Sequence, residues 1–476
     1  MTANIWGIVK AIQDIMRKDP WVDGDAQRIG QISWLLFLKI YDDKEREFEL
    51  MIDGYVSPIP EEYKWRNWAG NDEGITGDEL LEFINEKLFK ALKWLKWDSK
   101  NPMSYIVKGV FEDSFNYMKS GVLIRQVVNK INQIDFTKKA ELHIFNDIYE
   151  KVLKDLQSAW NAGEYYTPRA VTQFIVDMTA PTLEDKVLDP SCGTGGFLTC
   201  AIEYKRTHHV KTPQDETILQ NSIYGTELKQ LPHLLATTNL ILHGIECPIN
   251  LRHDDSLSRP IKDYEDRDMV DVVVSNPPFW GQVAPWISHN FPAQFQTQET
   301  ANLFLVLILT LLKHNGRGWV VLPDGFLFWE GIATRIKEKL LSDCNLHTIV
   351  KLPKWVFSPY TNISTNLLFF TKGEPTKEVW YFEHPIPEGI KNYSMTKPIR
   401  IEEFDLEKAW WNNRVENEYA YKVSIEDIKA RNYNLDIKNP HKKEEEELLD
   451  TTEIINAIEE NFKQATTILE SIKAQI

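Results

Sequence analysis

The sequence contains few cysteines, and they are too scattered to suggest a disulfide framework or a zinc site. The four are Cys192, Cys200, Cys247 and Cys344, and no C-x-x-C pair occurs among them. Those spacings match neither the ligand spacing of structural zinc nor the dense cysteine pattern of small secreted domains. A reducing compartment such as the cytoplasm is therefore the expected location, and no bound metal is expected.

Long apolar runs are also lacking. The longest, at residues 303–312, is about half as long as a helix that crosses a bilayer, so it predicts a buried core helix. The first twenty residues alternate apolar and polar side chains at helical spacing and contain no continuous apolar stretch of the kind found in signal peptides. No contact with a membrane is expected.

Positive charge is scarce in this chain of 476 residues, which has 54 basic and 70 acidic side chains and a net charge of −16. Binding to nucleic acid depends on Lys and Arg at the phosphates, so such a function requires local clusters of basic groups or a second subunit. The sequence also lacks a G-x-x-x-x-G-K-[ST] loop and any clear nuclease motif. We therefore do not expect this chain alone to cut or translocate DNA.

The first third of the chain has apolar side chains at helical spacing and little strand-like alternation. The pattern predicts helices around 5–15, 26–50, 80–95, 122–134 and 144–156. We interpret residues 1–158 as an all-helical N-terminal domain.

From about residue 160, short apolar segments alternate with helical ones. Strands are predicted at 186–189, 222–227, 270–275, 318–323, 347–352 and 366–371, with helices such as 196–204, 230–243 and 301–313 between them. This alternation is typical of an open, largely parallel, doubly wound α/β sheet, which we assign to residues 159–440. The remaining residues, 441–476, begin with a charged run and continue as a predicted amphipathic helix.

A glycine-rich turn, DPSCGTGGFL, follows the first predicted strand. Gly193, Gly195 and Gly196 permit a tight turn and a close approach of a ligand to the backbone. Asp189 at the strand end can accept hydrogen bonds from an ammonium or a hydroxyl group of that ligand. The alternative is a generic glycine-rich turn of an α/β protein.

A second motif, SNPPF, follows the predicted strand 270–275. Its two prolines cannot continue the strand and make a rigid turn at the carboxyl end of the sheet, where ligands bind in such folds. The Asn276 side-chain oxygen and the Pro277 carbonyl can both accept hydrogen bonds from an amino group, and Phe279 offers a flat face to a planar ring. The alternative is a proline-capped strand end with a core phenylalanine.

Two further motifs are weaker on their own. GEYYTP, at 163–168, ends in a threonine and a proline that predict a helix start, with Thr167 as the N-cap and Pro168 at the first helical position. Its aromatic residues could equally be core residues between two domains. Glu227 ends the next predicted strand and could bind two ribose hydroxyls, although an exposed glutamate is more often simply solvated.

Together the motifs GEYYTP, DPSCGTGGF, GTE, HDDSL and NPPF follow one another within about 115 residues. Their order resembles that of gamma-class amino-methyltransferases, and the chain is similar to the modification (M) subunits of Type I restriction–modification systems. GRGWVVLPDGFLF, IVKLPKWVFSPYTNISTNLLFFTKG and SIEDIKARNYNLDIKNP are similar to later segments of the same family. The resemblance covers nearly the whole chain, so the sheet is expected to be a Rossmann-like methyltransferase sheet.

The resemblance implies that the cofactor is S-adenosylmethionine, and it carries a set of site residues over to this sequence. The implied cofactor-binding residues are Gly163, Glu164, Tyr165, Tyr166, Thr167, Pro168, Asp189, Gly193, Thr194, Gly195, Gly196, Glu227 and Asp255. Asp254 beside Asp255 leaves the last assignment open. The implied catalytic residues are Asn276, Pro277, Pro278 and Phe279, and Cys192 is interpreted as a small packing residue.

The implied reaction is methylation of the exocyclic amino group of adenine in double-stranded DNA. The adenine must leave the duplex to be reached, and positioning of the two reactants is the main task of the enzyme. The chain has no Pro-Cys pair, which excludes the usual signature of cytosine C5 enzymes. Two alternatives stay open, a methyltransferase acting on another planar amino group such as a glutamine amide, and a catalytically silent scaffold.

The resemblance also implies partners. About 100 residues follow Thr371, and much of that part is predicted helix, which leaves no room for a domain that recognises the DNA target. Target recognition is therefore expected from a separate specificity (S) subunit that binds two copies of this chain, with a restriction (R) subunit in the full complex. The helix in 441–476 is the predicted docking element, and packing on its own catalytic core is the alternative.

Overall fold

The computed structural model describes residues 2–98, 101–136, 167–279, 281–358, 361–394 and 396–442. The predicted helix 144–156, the motif residues 163–166, the predicted domain boundary near 158 and nearly all of the predicted segment 441–476 lie outside these residues. The docking helix predicted in 441–476 and the domain boundary near 158 therefore stay predictions.

Helices make up the regular structure of the described residues up to 136, apart from an isolated bridge between Asp98 and Asn101. They are α1 (Thr2–Met16), α2 (Gly24–Met51), α3 (Trp65–Trp68), α4 (Gly77–Glu82), α5 (Phe89–Lys93), α6 (Met103–Glu112) and α7 (Gly121–Ile131). A π-helical turn, Phe83–Leu88, joins α4 to α5, so the predicted helix 80–95 is three consecutive helical pieces. The predicted all-helical character of this region is confirmed.

A buried arginine fixes the connection between α3 and α4 against α7. Arg125 is only 6% exposed, and its guanidinium donates hydrogen bonds of 2.7–3.4 Å to the backbone carbonyls of Trp68, Ala69, Asn71 and Ile75. The Ala69 carbonyl also accepts from Asn132 Nδ2, and the Asn71 carbonyl also accepts from the Gly74 N–H. The guanidinium thus joins a hydrogen-bond network that holds this connection in place.

The second region is built on a sheet of nine strands among the described residues. They are β1 (Val187–Asp189), β2 (Ile223–Glu227), β3 (Leu251–His253), β4 (Val270–Ser275), β5 (Leu312–Pro323), β6 (Cys344–Leu352), β7 (Thr365–Lys372), β8 (Glu378–Glu383) and β9 (Ala420–Ser424). Their order is β3-β2-β1-β4-β5-β7-β6-β8-β9. The first five pair in parallel, β7 is antiparallel to both neighbours, β8 is parallel to β6, and β9 is antiparallel to β8.

All six predicted strands are present, whereas β3, β8 and β9 were not predicted. β3 has only three residues, two of them exposed, so it carries almost no apolar signal. No strand was predicted after residue 371, whereas residues 373–442 contain β8 and β9 with two short helices and connecting segments. In this part, aromatic and polar residues alternate at the edge of the sheet. A prediction that depends on continuous apolar runs therefore misses these strands.

Helices cover both faces of the sheet. They are α8 (Arg169–Thr179), α9 (Gly196–His208), α10 (Pro213–Gln220), α11 (Gln230–Leu242), α12 (Pro285–Ser288), α13 (Thr300–Leu311), α14 (Asp324–Phe328), α15 (Ile332–Asp343), α16 (Asp405–Trp411) and α17 (Ile425–Ala430). Val272 and Val274 pack in one apolar cluster with α8 and α9, and Val273 packs in another with α13 and α15. Successive strand residues point to opposite faces of a sheet, so these two clusters lie on opposite faces. Helices therefore pack on both faces, and the sheet is doubly wound as predicted.

The long apolar run belongs to α13, which is a buried core helix as predicted. Within the described ranges, no helix combines the length and the apolar character that a membrane crossing demands.

Helix α11 is shared by the two regions. Its residues Leu234, Leu235, Ile241 and Leu242 lie in the apolar core of the helical region, whereas Ala236 and Leu240 lie in a core of the sheet region. Since α11 follows β2 directly, it connects the carboxyl edge of the sheet to the helical region.

Candidate functional site

A cavity of about 540 Å³ opens at the edge of the sheet where the parallel strands β1, β2 and β4 end. Among the residues singled out from the sequence, its lining includes Gly193, Thr194, Glu227, Asp255, Asn276 and Pro278, together with Asp254. The fold therefore brings the glycine turn, the strand-end glutamate and the NPPF motif to one cavity, as expected for a topological switch point.

The glycine turn joins β1 to α9. Gly193 has φ +54° and its backbone N–H donates to Glu227 Oε2 at 2.9 Å, which ties the turn to the end of β2. Gly195 has φ +81°, and a Cβ there would lie 3.3 Å from Leu240 Cδ1 of α11. Gly193 thus borders the cavity, whereas Gly195 permits close packing of the turn on α11, and Gly196 begins α9.

Asp189 is a buried carboxyl group at the end of β1, with 1% exposure. Its Oδ1 accepts the Ser191 N–H at 3.0 Å, and the Ser191 and Ser275 hydroxyls lie 2.9 Å apart beside it. Burial, reinforced by the charge of Glu227, raises the pKa of Asp189 to about 8. No cation pairs with this carboxyl group among the described residues, so a positively charged ligand would stabilise its ionised form.

Glu227 is held at the cavity wall by backbone donors. Its Oε1 accepts the Lys229 N–H at 2.8 Å, and its Oε2 accepts the Gly193 N–H at 2.9 Å. Burial nevertheless raises the pKa of this carboxyl group to about 7. Glu227 lines the cavity, whereas Asp189 does not line it itself but accepts from the N–H of Ser191, which does. A carboxyl group with a raised pKa at a cavity wall is characteristic of a binding site.

Asp254 and Asp255 both line the cavity but have different surroundings. The exposed Asp254 carboxylate is engaged by the Arg252 guanidinium. The half-buried Asp255 carboxylate accepts the Leu257 N–H at 2.9 Å. This difference favours Asp255 as the ligand-facing acid, in agreement with the expectation from the sequence.

Asn276 presents an unpaired oxygen at the cavity. Its Nδ2 donates to the Thr167 hydroxyl at 2.9 Å, which fixes the orientation of the amide. Its Oδ1 is buried and has no hydrogen-bond partner among the described residues. A buried acceptor left unpaired is costly, so this atom is positioned to accept from a ligand.

The predicted capping role of Thr167 is wrong. Helix α8 begins at Arg169, its N-cap position is occupied by Pro168, and no side chain caps it. Pro168 has ψ 136°, an extended conformation that keeps it outside the helix. The Thr167 hydroxyl is thereby available to Asn276, a contact across 109 positions of sequence that local capping rules do not reveal.

The remaining motif residues divide between cavity and core. The Pro278 carbonyl accepts from the Thr300 hydroxyl at 2.8 Å, and Pro278 borders the cavity, while Pro277 is buried. Phe279 is 1% exposed and packs in the apolar cluster that contains Val272 and Val274. Stacking of Phe279 on a ligand would therefore require this ring to be uncovered.

Cys192 lies in the glycine turn but is buried. Burial and the neighbouring Asp189 and Glu227 raise the pKa of its thiol well above the usual range, which disfavours a thiolate. Within the described stretches, no cluster of three or more His, Cys, Asp and Glu side chains could hold a metal ion.

The structure adds site residues that the sequence patterns did not identify. Asn239 on α11 donates to the Thr194 carbonyl at 3.1 Å and so supports the glycine turn. Ser191, Ser275 and Thr300 supply hydroxyls beside the motifs. The two serines stand next to motif residues and could have been found that way, whereas Asn239 gave no local signal.

Comparison with known proteins gives a consistent result. The model of the N-6 DNA Methylase family matches residues 140–448, and that of the HsdM N-terminal domain matches residues 6–131. The Type I restriction enzyme EcoEI methylase subunit of Escherichia coli is 58% identical over 449 residues, which cover 93% of this chain and 91% of that protein. The EcoKI methylase subunit of Escherichia coli strain K12 is 29% identical over 377 residues, covering 75% of this chain and 66% of that protein.

Solved structures agree with this result. A protein from Vibrio vulnificus YJ016 described as a modification subunit of a type I restriction enzyme has a TM-score of 0.83 and 42% identity, over 93% of this chain and 97% of its own. A chain from a structural study of the assembly of the type I R-M system has a TM-score of 0.82 and 33% identity, over 99% of this chain and 97% of its own. With a family model that matches more than half of its length, and with a relative more than half identical in sequence, this chain belongs to the N-6 DNA Methylase family.

Proposed function

We propose that this chain is the modification subunit of a Type I restriction–modification complex and methylates the N6 amino group of adenine in DNA. The observation that carries the proposal is Asn276 Oδ1, which lies at the cavity without a hydrogen-bond partner among the described residues. The Asn276 amide is held by Thr167, and two prolines follow it in sequence. Membership of the N-6 DNA Methylase family and 58% identity to a Type I methylase subunit support it.

The cavity suits S-adenosylmethionine as cofactor, which when bound supplies an activated methyl group. It has the volume for a molecule of that size, Glu227 lines it, and the buried Asp189 lies next to its lining residues Pro190 and Ser191. We assign Asp189 and the glycine turn (193–196) to the cationic and polar end of the cofactor, Glu227 to its ribose hydroxyls and Asp255 to its adenine. The motif 163–168 completes the proposed site.

The NPPF motif would hold the substrate amino group. Asn276 Oδ1 and the Pro277 carbonyl would accept hydrogen bonds from the two N–H groups of the substrate amine. This leaves the nitrogen lone pair directed at the methyl group of the cofactor. Thr167 keeps the Asn276 amide in the accepting orientation by occupying its NH₂ group. Pro277 and Pro278 keep the turn rigid, so little reorganisation is needed when the base arrives. Phe279 is proposed to stack on the base once its ring is uncovered.

We further propose that target recognition is supplied by a separate specificity subunit that carries two copies of this chain, with a restriction subunit in the full complex in the cytoplasm. The net charge of −16 supports a division of labour in which another subunit provides much of the DNA contact.

The test uses the chain assembled with the specificity subunit encoded beside it, and measures N6-methyladenine in duplex DNA by mass spectrometry. Asn276→Ala should reduce the methylation rate by about 10²–10³-fold, because it removes an acceptor that acts on the reacting nitrogen. Cofactor affinity, measured by calorimetry, should change little.

Asn129→Ala is a matched control, since Asn129 donates to the Asp72 carbonyl in the helical region, far along the chain from the cavity. It should methylate at the wild-type rate. Near wild-type turnover in Asn276→Ala would show that the mechanism is wrong, and a wild-type complex that methylates no adenine would show that the function is wrong.

A further inference from the structure

The chain segment that ends α5 combines lysines with exposed tryptophans. Trp94 is 80% exposed and Trp97 is 66% exposed, values unusual for such large apolar side chains. We call the surface around them the Lys–Trp surface. Its members are Lys87, Lys93, Trp94, Lys96, Trp97 and Phe115.

The three lysines of the Lys–Trp surface differ from their neighbour Lys90 in their pairing. Lys87 and Lys96 are exposed, and the Lys93 ammonium lies 5.3 Å from the centre of the Phe115 ring. None of the three forms an ion pair within the described part of the chain, whereas the neighbouring Lys90 pairs with Glu86 at 2.6 Å. In a chain with a net charge of −16, this is a local cluster of available positive charge.

The Lys–Trp surface is connected to the candidate active site through α6 and α11. Helix α5 packs against α6, and the carbonyls of Gly109 and Val110 near the end of α6 accept hydrogen bonds of 3.0 and 2.9 Å from Gln230 Nε2. Gln230 begins α11, three positions after Glu227. The surface is therefore linked to α11, and through it to the cavity wall at Glu227, by the packing of α5 on α6.

We infer that the Lys–Trp surface binds the phosphate backbone of duplex DNA beside the target adenine, an inference that rests on the proposed function. Lysine contacts to phosphates dominate the affinity of proteins for DNA, and lysine is depleted from the cores of protein–protein interfaces. The exposed indoles add apolar contact to sugars and bases without sequence preference. The surface supplies the local basic cluster that the acidic composition of the chain would otherwise lack.

The experiment measures the affinity of the complex with its specificity subunit for target duplex as a function of salt. The triple variant K87Q/K93Q/K96Q should bind at least about 10-fold more weakly at low salt, and the slope of log affinity against log salt should become shallower by about 3 for each copy of the chain. The double variant Trp94→Ala/Trp97→Ala should bind about 10-fold more weakly with an unchanged slope.

The matched control is K211Q/K377Q/K429Q, which removes the same charge from exposed lysines of the sheet region. Lys211 and Lys377 precede β2 and β8 and so lie at the opposite edge of the sheet from the cavity. This variant should keep the wild-type slope. Circular dichroism and cofactor calorimetry should show both variants folded.

Equal slopes of log affinity against log salt for the two triple variants would overturn the inference. That result would not contradict the proposed methylation of adenine. Loss of the specificity subunit from K87Q/K93Q/K96Q alone would also overturn it, since the surface would then be a protein interface. Failure of the wild-type complex to methylate adenine would refute the proposed function, and the salt slopes would still decide whether the surface binds DNA.

Discussion

The helical region and the carboxyl edge of the sheet place buried polar groups in different surroundings, a packed core in one and a cavity in the other. In the helical region, the guanidinium of Arg125 donates to four backbone carbonyls and is fully used. At the sheet edge, Asp189 and Glu227 keep raised pKa values, and Asn276 Oδ1 lacks a partner among the described residues. Buried atoms without a partner among the described residues also occur in the helical region, for example Gln31 Nε2, so such an atom points to a ligand only where, as at Asn276, it also lies at a cavity.

Helix α11 lies between the two regions and belongs to both. One set of its side chains packs in the helical core, and Asn239 supports the glycine turn through the Thr194 carbonyl. The comparison therefore predicts that changes in the helical core affect stability, changes at the sheet edge affect binding, and changes on α11 affect binding weakly.

The largest expected effect is on stability, in the helical region. Arg125→Met should lower the free energy of unfolding by about 3 kcal/mol or more, because it removes the hydrogen bonds that a buried guanidinium donates to four backbone carbonyls. Urea denaturation followed by circular dichroism measures this change. Arg17→Met, which removes an exposed arginine paired with Asp14, should change stability by less than about 0.5 kcal/mol.

Cofactor affinity in Arg125→Met should equal that of the wild type under conditions where the variant is folded. A marked loss of cofactor affinity in the folded variant would show that the helical region also contributes to binding.

The next effect is on binding, at the sheet edge. Asp189→Asn should weaken binding of S-adenosylmethionine by about 10–100-fold, because a hydrogen bond to a buried charge is lost. Asp263→Asn, at an exposed carboxyl group, should bind normally. Isothermal calorimetry measures both, and unchanged affinity in Asp189→Asn would remove Asp189 from the site.

Asp189 also predicts a pH dependence of stability in the ligand-free protein. Its folded pKa, about 8, lies above its ordinary value of 3.8, so its contribution to stability is fully present below about pH 4 and is lost as the pH rises through 8. Glu227, with a pKa of about 7, acts in the same direction. Asp189→Asn should therefore lose less stability than the wild type between pH 4 and pH 8, as thermal unfolding across this range would show.

The smallest effect is expected on α11. Asn239→Ala removes the hydrogen bond to the Thr194 carbonyl and should weaken cofactor binding by about fivefold, equivalent to about 1 kcal/mol. Asn221→Ala, at an exposed amide after α10 that donates to the Thr217 carbonyl, should leave affinity unchanged. Equal effects of the two variants would show that α11 does not support the glycine turn.

Local patterns predicted the central strands well, for a physical reason. β4 and the second half of β5 are buried and contain the apolar runs VVV and WVVL, which stand out between glycine, proline and polar residues. The position of β7 between β5 and β6 could not be predicted in this way, because pairing partners distant in sequence are chosen by the packing of the whole sheet. The same holds for β9, which pairs with β8 across about forty residues.

By itself, the sequence determined the elements whose information is local. The glycine turn, the NPPF turn and the strand-end acids are short runs in which backbone restriction and side-chain chemistry coincide, so their residues could be named in advance. Only the tertiary structure decided which of these groups meet and which remain unsatisfied. Asn276 reaches Thr167 across 109 positions, Phe279 packs in the core, and Asn239 supports the glycine turn from another helix. Such contacts depend on distances through space, which no local spacing along the chain encodes.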